Sequence, residues 1–255
     1  MAADFGLYRG QALRKEPNRM LFSILRSGDP LYAILSLLLT LPIMLLALSL
    51  HETAHGWVAW RCGDPTARNL GRLTLNPLKH LDPIGLIFLM VFGYGWAKPV
   101  PINTRYFRKP KRDMALTAAA GPAANLLLGL VNAVLYGLFW GLASAQQALG
   151  LTGMLLTFLA VLSEVFFYAA AINFMFMLFN LIPIPPFDGS RIALAFLPDR
   201  IYFGIMRYER QIMLGLLIVM LVLSNFGYSP IGYVATKLPD LIARPIAEGI
   251  FKLML

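Results

Sequence analysis

Three long apolar runs set out the architecture before any single residue is weighed. The first, Leu31 to Leu50, contains no Asp, Glu, Lys or Arg. It predicts a helix from about Leu31 to Arg61, opened by Pro30 and stopped by Cys62-Gly63-Asp64-Pro65. The second predicts a helix over Asp113 to Leu142. The third predicts one over Thr152 to Leu181, broken by Pro183-Ile184-Pro185-Pro186. Each is longer than the roughly 20 residues that cross the hydrocarbon of a bilayer. Ile84 to Gly95 is apolar but too short to span, and fits a re-entrant or surface hairpin. A further helix is expected over Tyr208 to Phe226, and a short one near Gly189. Residues 239–255 alternate charge and apolarity like an interfacial helix. Between these elements, residues 64–83 read as loop with a strand-like stretch from Asn69 to Leu75. Residues 96–112 form an extended, proline-bearing segment that leads into a basic run from Arg105 to Arg112.

The pattern predicts an all-α integral membrane protein, a polytopic helical bundle of about 4–6 membrane segments. It divides into a basic N-terminal segment (1–30), a membrane-embedded domain (31–226) and a hydrophobic, interfacial C-terminal segment (227–255). Composition agrees: 58% of residues are hydrophobic and 14% charged, against the quarter charged of soluble domains. The net charge of +9 could suggest nucleic acid. The basic residues flank apolar helices instead of interleaving with aromatics, so anionic lipid is the partner they predict and nucleic acid is not. No secretory signal is expected in residues 1–30, which lack an apolar core. Cys62 is the single cysteine, which excludes an internal disulfide. Residues 61–112 hold ten Lys/Arg against two Asp, whereas residues 143–151 hold no charge. The positive-inside bias places the former in the cytoplasm and the latter outside. The direction of the first helix then forces residues 1–30 outside, although they hold five basic against three acidic residues.

The chemistry sits at the end of the first run, in His51-Glu52-Thr53-Ala54-His55. Histidines four apart lie about 40° apart around a helix, so both imidazoles reach one zinc ion, with Glu52 beside them as general base. Ionisable side chains at membrane depth are costly and mark function. A catalytic zinc takes three protein ligands, and His80, Glu164, Asp188 and Glu209 are the candidates for the third. Asp188 is favoured, because the prolines before it end the helix and free the backbone to turn a carboxylate inward, and Gly189 permits close approach. A plain Asp-Gly turn is the competing reading. His80 is expected to pair with Asp82. Asn173 reads as an interhelical hydrogen bond, and Gly121, Pro122 and Asn125 as mainly architectural, with Asn125 the alternative candidate for lining the site.

The HExxH segment, followed by Gly121-Pro122-Ala123-Ala124-Asn125 and then Asn180-Leu181-Ile182-Pro183-Ile184-Pro185-Pro186-Phe187-Asp188-Gly189, resembles the site-2 protease family of intramembrane metalloproteases. The likeness covers roughly residues 30–200 in the compact bacterial form, and no PDZ-like insertion is visible. It implies one Zn2+ per chain bound by His51, His55 and Asp188, with Glu52 as the base and Asn180 helping to hold the oxyanion or the substrate. It also implies a strand-bearing, membrane-associated region around Gly95 to Asn103. The implied activity is hydrolysis of transmembrane protein substrates within the bilayer of a bacterial cell membrane. An unwound substrate would add as a strand along Lys98 to Asn103. Two rivals remain: a membrane metal-binding or transport protein, and an inactive relative that only binds helices. The presence of Glu52 and all three ligands, with no relay of further intramembrane acids, weighs against both.

Overall fold

The structure, a computed structural model, describes residues 30–92, 95–150, 152–226, 228, 237, 241, 242 and 244–254. Its helices are α1 (Pro30–Arg61), α2 (Thr66–Asn69), α3 (Pro83–Phe92), α4 (Pro110–Ala148) and α5 (Met154–Asn180). They are followed by α6 (Asp188–Leu194), α7 (Asp199–Met206), α8 (Glu209–Asn225) and α9 (Arg244–Met254). Three helical stretches are long and apolar enough to cross a membrane: Leu38–Arg61, Pro110–Gln147 and Met154–Asn180. The helical membrane architecture is therefore as expected, while the count of spans among the described residues is three. Helix α8, with 17 residues, falls short of the usual length. The N-terminal segment 1–30 lies, but for Pro30, outside the described residues, as does much of 227–255.

Helix α4 begins three residues before the predicted start. Pro110 occupies its first turn, where the missing N–H costs nothing, and Asp113 Oδ2 accepts the Lys109 N–H at 2.9 Å. It also runs on past the predicted end at Leu142 through Ala143-Ser144-Ala145-Gln146-Gln147, a helix-tolerant sequence. At ~1.5 Å per residue its 39 residues reach about 58 Å, so its ends project beyond a hydrocarbon layer of roughly 30 Å.

The three long helices alternate in direction. His55 meets Thr117, His51 meets Asn125, and Asn125 reaches back to Ala47, so numbers fall along α1 as they rise along α4. Asn125 also meets Asn173, and Tyr136 packs on Phe167, so α5 opposes α4 as well. Helices α1 and α5 are thus parallel, and α5 delivers the chain to α6 at the end of the bundle that holds the two histidines. The apolar core lies in the other half of the α4–α5 pair, built from Ala133, Tyr136, Phe167, Ala170 and Phe174. Ile242 and Ile246 pack against it, which ties the C-terminal amphipathic segment to this core.

The expected strands are the main correction. Among the described residues there is no strand, only one isolated antiparallel bridge between Leu81 and Ala97. The Asn69–Leu75 stretch has no partner ladder. Asp64 Oδ1 accepts the Thr66 N–H at 2.9 Å and turns the chain into α2, which takes up Asn69. The Thr74 carbonyl is occupied by the Thr53 hydroxyl at 2.7 Å and by His80 Nε2 at 2.8 Å. His80 therefore does not pair with Asp82. Asp82 instead caps α3, accepting the Ile84 and Gly85 N–H groups at 2.9 Å each. The α3 region does form a hairpin: beyond it the chain returns so that Trp96 packs at a tilt against Phe88, 5.1 Å between centroids. The extended segment that follows, up to Asn103, lies against α1.

Candidate metal centre

The last turns of the apolar part of α1 carry His51, Glu52 and His55, all at least nine-tenths buried. The carboxylate of Asp188, the first residue of α6, meets both rings. Its Oδ2 lies 3.2 Å from His51 Nε2 and 3.2 Å from His55 Nε2, and the two Nε2 atoms are 2.9 Å apart. Among the described residues this is the one group of three or more His, Cys, Asp or Glu side chains arranged to hold a metal ion. The edges of this triangle suit zinc, because bonds of ~2.0–2.1 Å in a tetrahedron set ligands roughly 3.3 Å apart.

The hydrogen bonds around the triangle make the case from charge. His55 Nδ1 faces the Thr117 carbonyl at 2.7 Å, and a carbonyl only accepts, so Nδ1 carries the proton. Asn125 Nδ2 donates to the Ala47 carbonyl at 3.3 Å and to Asn173 Oδ1 at 2.9 Å, which leaves Asn125 Oδ1 to accept from His51 Nδ1. The flip of Asn125 is fixed by its neighbours, since Asn173 Nδ2 is itself committed to the Ala169 carbonyl at 2.8 Å. With Nδ1 carrying the proton on both rings, the neutral imidazoles that a metal requires would direct their Nε2 lone pairs at the same point. Asp188 Oδ2 points there too, buried and without a well-formed hydrogen bond. Three acceptors facing one another in a dry site repel unless a cation lies among them. The residues fit zinc, and the orienting bonds to Asn125 and Thr117 are the outer support that metal-ligating histidines ordinarily have.

Gly121 explains how α4 comes so close. A Cβ at this position would overlap both imidazole rings. Thr117, Gly121 and Asn125 are spaced four apart on α4, the same one-turn spacing as Ala47, His51 and His55 on α1. That spacing was readable in the sequence and is the signal by which Thr117 could have been found beside Asn125. At Gly189 a Cβ would collide with the Leu181 carbonyl, so the loop after α5 closes tightly enough to present Asp188.

Glu52 lies next to the triangle and outside it. Its Oε2 accepts the Val100 N–H at 2.8 Å, an anchor on the extended segment that sequence reasoning did not suggest. Asn180, near the end of α5, has its Nδ2 donating to the Phe176 carbonyl of its own helix at 3.0 Å. His80 is fully buried in the loop before α3 and takes no part in the group.

Comparison with known proteins converges on the same assignment. The profile of peptidase family M50 matches residues 39–224. YwhC of Bacillus subtilis (strain 168), named as a zinc metalloprotease, is 44% identical over 163 residues, which cover 64% of this chain and 71% of that protein. Rip2 of Mycolicibacterium smegmatis and Rip2 of Mycobacterium tuberculosis, likewise named, are 35% and 29% identical over 151 residues, about half the length of each. No solved structure matches. With the family profile spanning both the HExxH helix and Asp188, the chain belongs to peptidase family M50, the site-2 protease family of zinc metalloproteases.

Proposed function

We propose that this chain cleaves transmembrane protein substrates within the bilayer, with Glu52 as the general base and His51, His55 and Asp188 as the zinc ligands. The observation that carries this is three acceptor atoms within 3.2 Å of one another beside a buried glutamate that is not one of them. Zinc bound there supplies Lewis-acid polarisation of a carbonyl and draws the pKa of a water toward neutrality. Glu52 would take a proton from the attacking water and pass it to the leaving amine. Val100 N–H holds Oε2, so Oε1 is presented for this transfer. Asn180 Nδ2 gives one of its two N–H groups to the Phe176 carbonyl, and the other is the donor that would assist the oxyanion. A substrate must also unwind. Pairing along Lys98 to Asn103 would use groups left over by the protein, because the Lys98 N–H is taken by His80 O and the Val100 N–H by Glu52. The charge bias supports a site near the cytoplasmic face.

The test is Glu52→Gln in the zinc-loaded, detergent-purified protein, assayed on fluorescein-labelled casein as a generic unfolded substrate. Zinc should remain at one per chain while turnover falls at least about 100-fold. Cleavage at the wild-type rate would end this mechanism.

A further inference from the structure

Two buried charges remain to be explained, and one peptide group lies between them. Arg72 is 9% exposed, and among the described residues no carboxylate pairs with it. Its Nη2 donates to the Lys98 carbonyl at 2.9 Å and the Pro99 carbonyl at 3.3 Å. A guanidinium taken out of water and given only two carbonyls is costly unless it holds something in place. What it holds is the Pro99–Val100 peptide, whose N–H end donates to Glu52 Oε2 at 2.8 Å. Arg72 grips the carbonyl end of the peptide and Glu52 the amide end. The dipole of one peptide unit thus runs between a cation and an anion, and each interaction strengthens the other.

The local sequence suits this. In Pro99-Val100-Pro101 the amide of Val100 is the only backbone donor, because neither proline has an N–H. Pro101 also restrains Val100 to extended backbone, which narrows the directions its N–H can take. The other side of the segment is pinned by the Lys98 N–H on the His80 carbonyl at 2.9 Å. The arrangement leaves Glu52 one oriented oxygen and one available oxygen.

Resting on the reading of Glu52 as the base, we propose that Arg72 is a positioning residue: through the Pro99–Val100 peptide it fixes the carboxylate of Glu52 for proton transfer. It touches none of the three metal ligands. A base that must lie within a hydrogen bond of the attacking water loses rate when its carboxylate is free to rotate, while zinc binding and peptide binding are left alone.

The experiment compares wild type, Arg72→Met and Arg72→Lys as zinc-loaded full-length protein. It reads zinc content, kcat and KM on labelled casein, and amide hydrogen exchange at Val100. Arg72→Met keeps the stem but not the donors. It should retain one zinc per chain with KM within about twofold, while kcat falls about tenfold or more and Val100 exchange speeds by a similar factor. Arg72→Lys keeps the charge and a donor, and should recover most of both. A zinc-loaded Arg72→Met with wild-type kcat overturns the proposal, as does a loss of kcat with Val100 still protected. Should Arg72→Met fail to fold, the wild-type protein still decides: a Val100 amide that exchanges like an unprotected peptide overturns it, and slow exchange retained in Arg72→Lys upholds it. Zinc content and Val100 exchange do not depend on proteolysis, so failure of this proposal is separable from failure of the protease reading.

Discussion

Helix α4 has two halves that make different kinds of contact. Its first half faces α1 with Thr117, Gly121 and Asn125, and holds its neighbours through directional hydrogen bonds and the absence of a side chain. Its second half faces α5 with Ala133 and Tyr136 packed against Phe167, Ala170 and Phe174 in the apolar core. The polar half costs stability, since each group buried in a membrane must find a partner, and here the partners form one chain from Asn173 through Asn125 to His51. What the polar half yields is orientation: two imidazoles fixed in ring angle and tautomer. The apolar half supplies stability without caring about any single angle. Function has been placed where directionality is available, and its support two turns further along the same helix.

The comparison can be broken most severely at Gly121. Replacing it with Val forces a branched side chain into the space of both rings, and overpacking of up to about 3 kcal/mol predicts a zinc affinity lower by roughly 100-fold or more. Competition with a chelator of known affinity measures it, and a normal affinity would mean that α4 can move away freely. Next in size is Asn125→Leu, which keeps the branching at Cγ but removes the acceptor for His51 Nδ1. Zinc affinity should fall about 10- to 100-fold, with the helical content by circular dichroism unchanged. Smallest in its effect on the metal is Phe167→Ala in the other half. It opens a cavity among aromatic rings and lowers the melting temperature, yet zinc affinity should stay within about twofold. If Phe167→Ala lost zinc as readily as Asn125→Leu, the two halves would be one mechanical unit and the distinction would fail.

Much of this was legible in the chain. Helices α1, α5 and α8 fall within a few residues of the expected ones because their apolar runs are bounded by Pro and Gly signals that act locally. His51, Glu52 and His55 were legible because one helix fixes their relative positions, so spacing alone states their geometry. Asp188 needed the resemblance as well as its proline context, since a ligand on a different helix has no spacing to read. The strand-like stretch from Asn69 to Leu75 misled because β propensity describes a half-buried surface and not a partner, and the side chains of Thr53 and His80 take the carbonyl a partner would need. His80 misled for a related reason: Asp82 is its near neighbour in sequence, but a helix N-terminus offers that carboxylate two N–H groups at once.

The sequence by itself determined that the chain lives in a bilayer, that zinc chemistry sits at the end of its first long helix, and which glutamate accompanies it. These are properties of composition and of periodicity within one element. Only the tertiary structure decided that α1 and α5 run parallel and bring Asp188 onto both imidazoles. It also decided which nitrogen of each histidine faces the metal, and that a single peptide joins Arg72 to Glu52. Each of these depends on groups 20 to 137 positions apart in the chain, between His51 and Asp188 at the far end and Glu52 and Arg72 at the near end. Contacts across such separations are set by how buried polar groups find partners once the helices have packed, and nothing local in the chain records that choice.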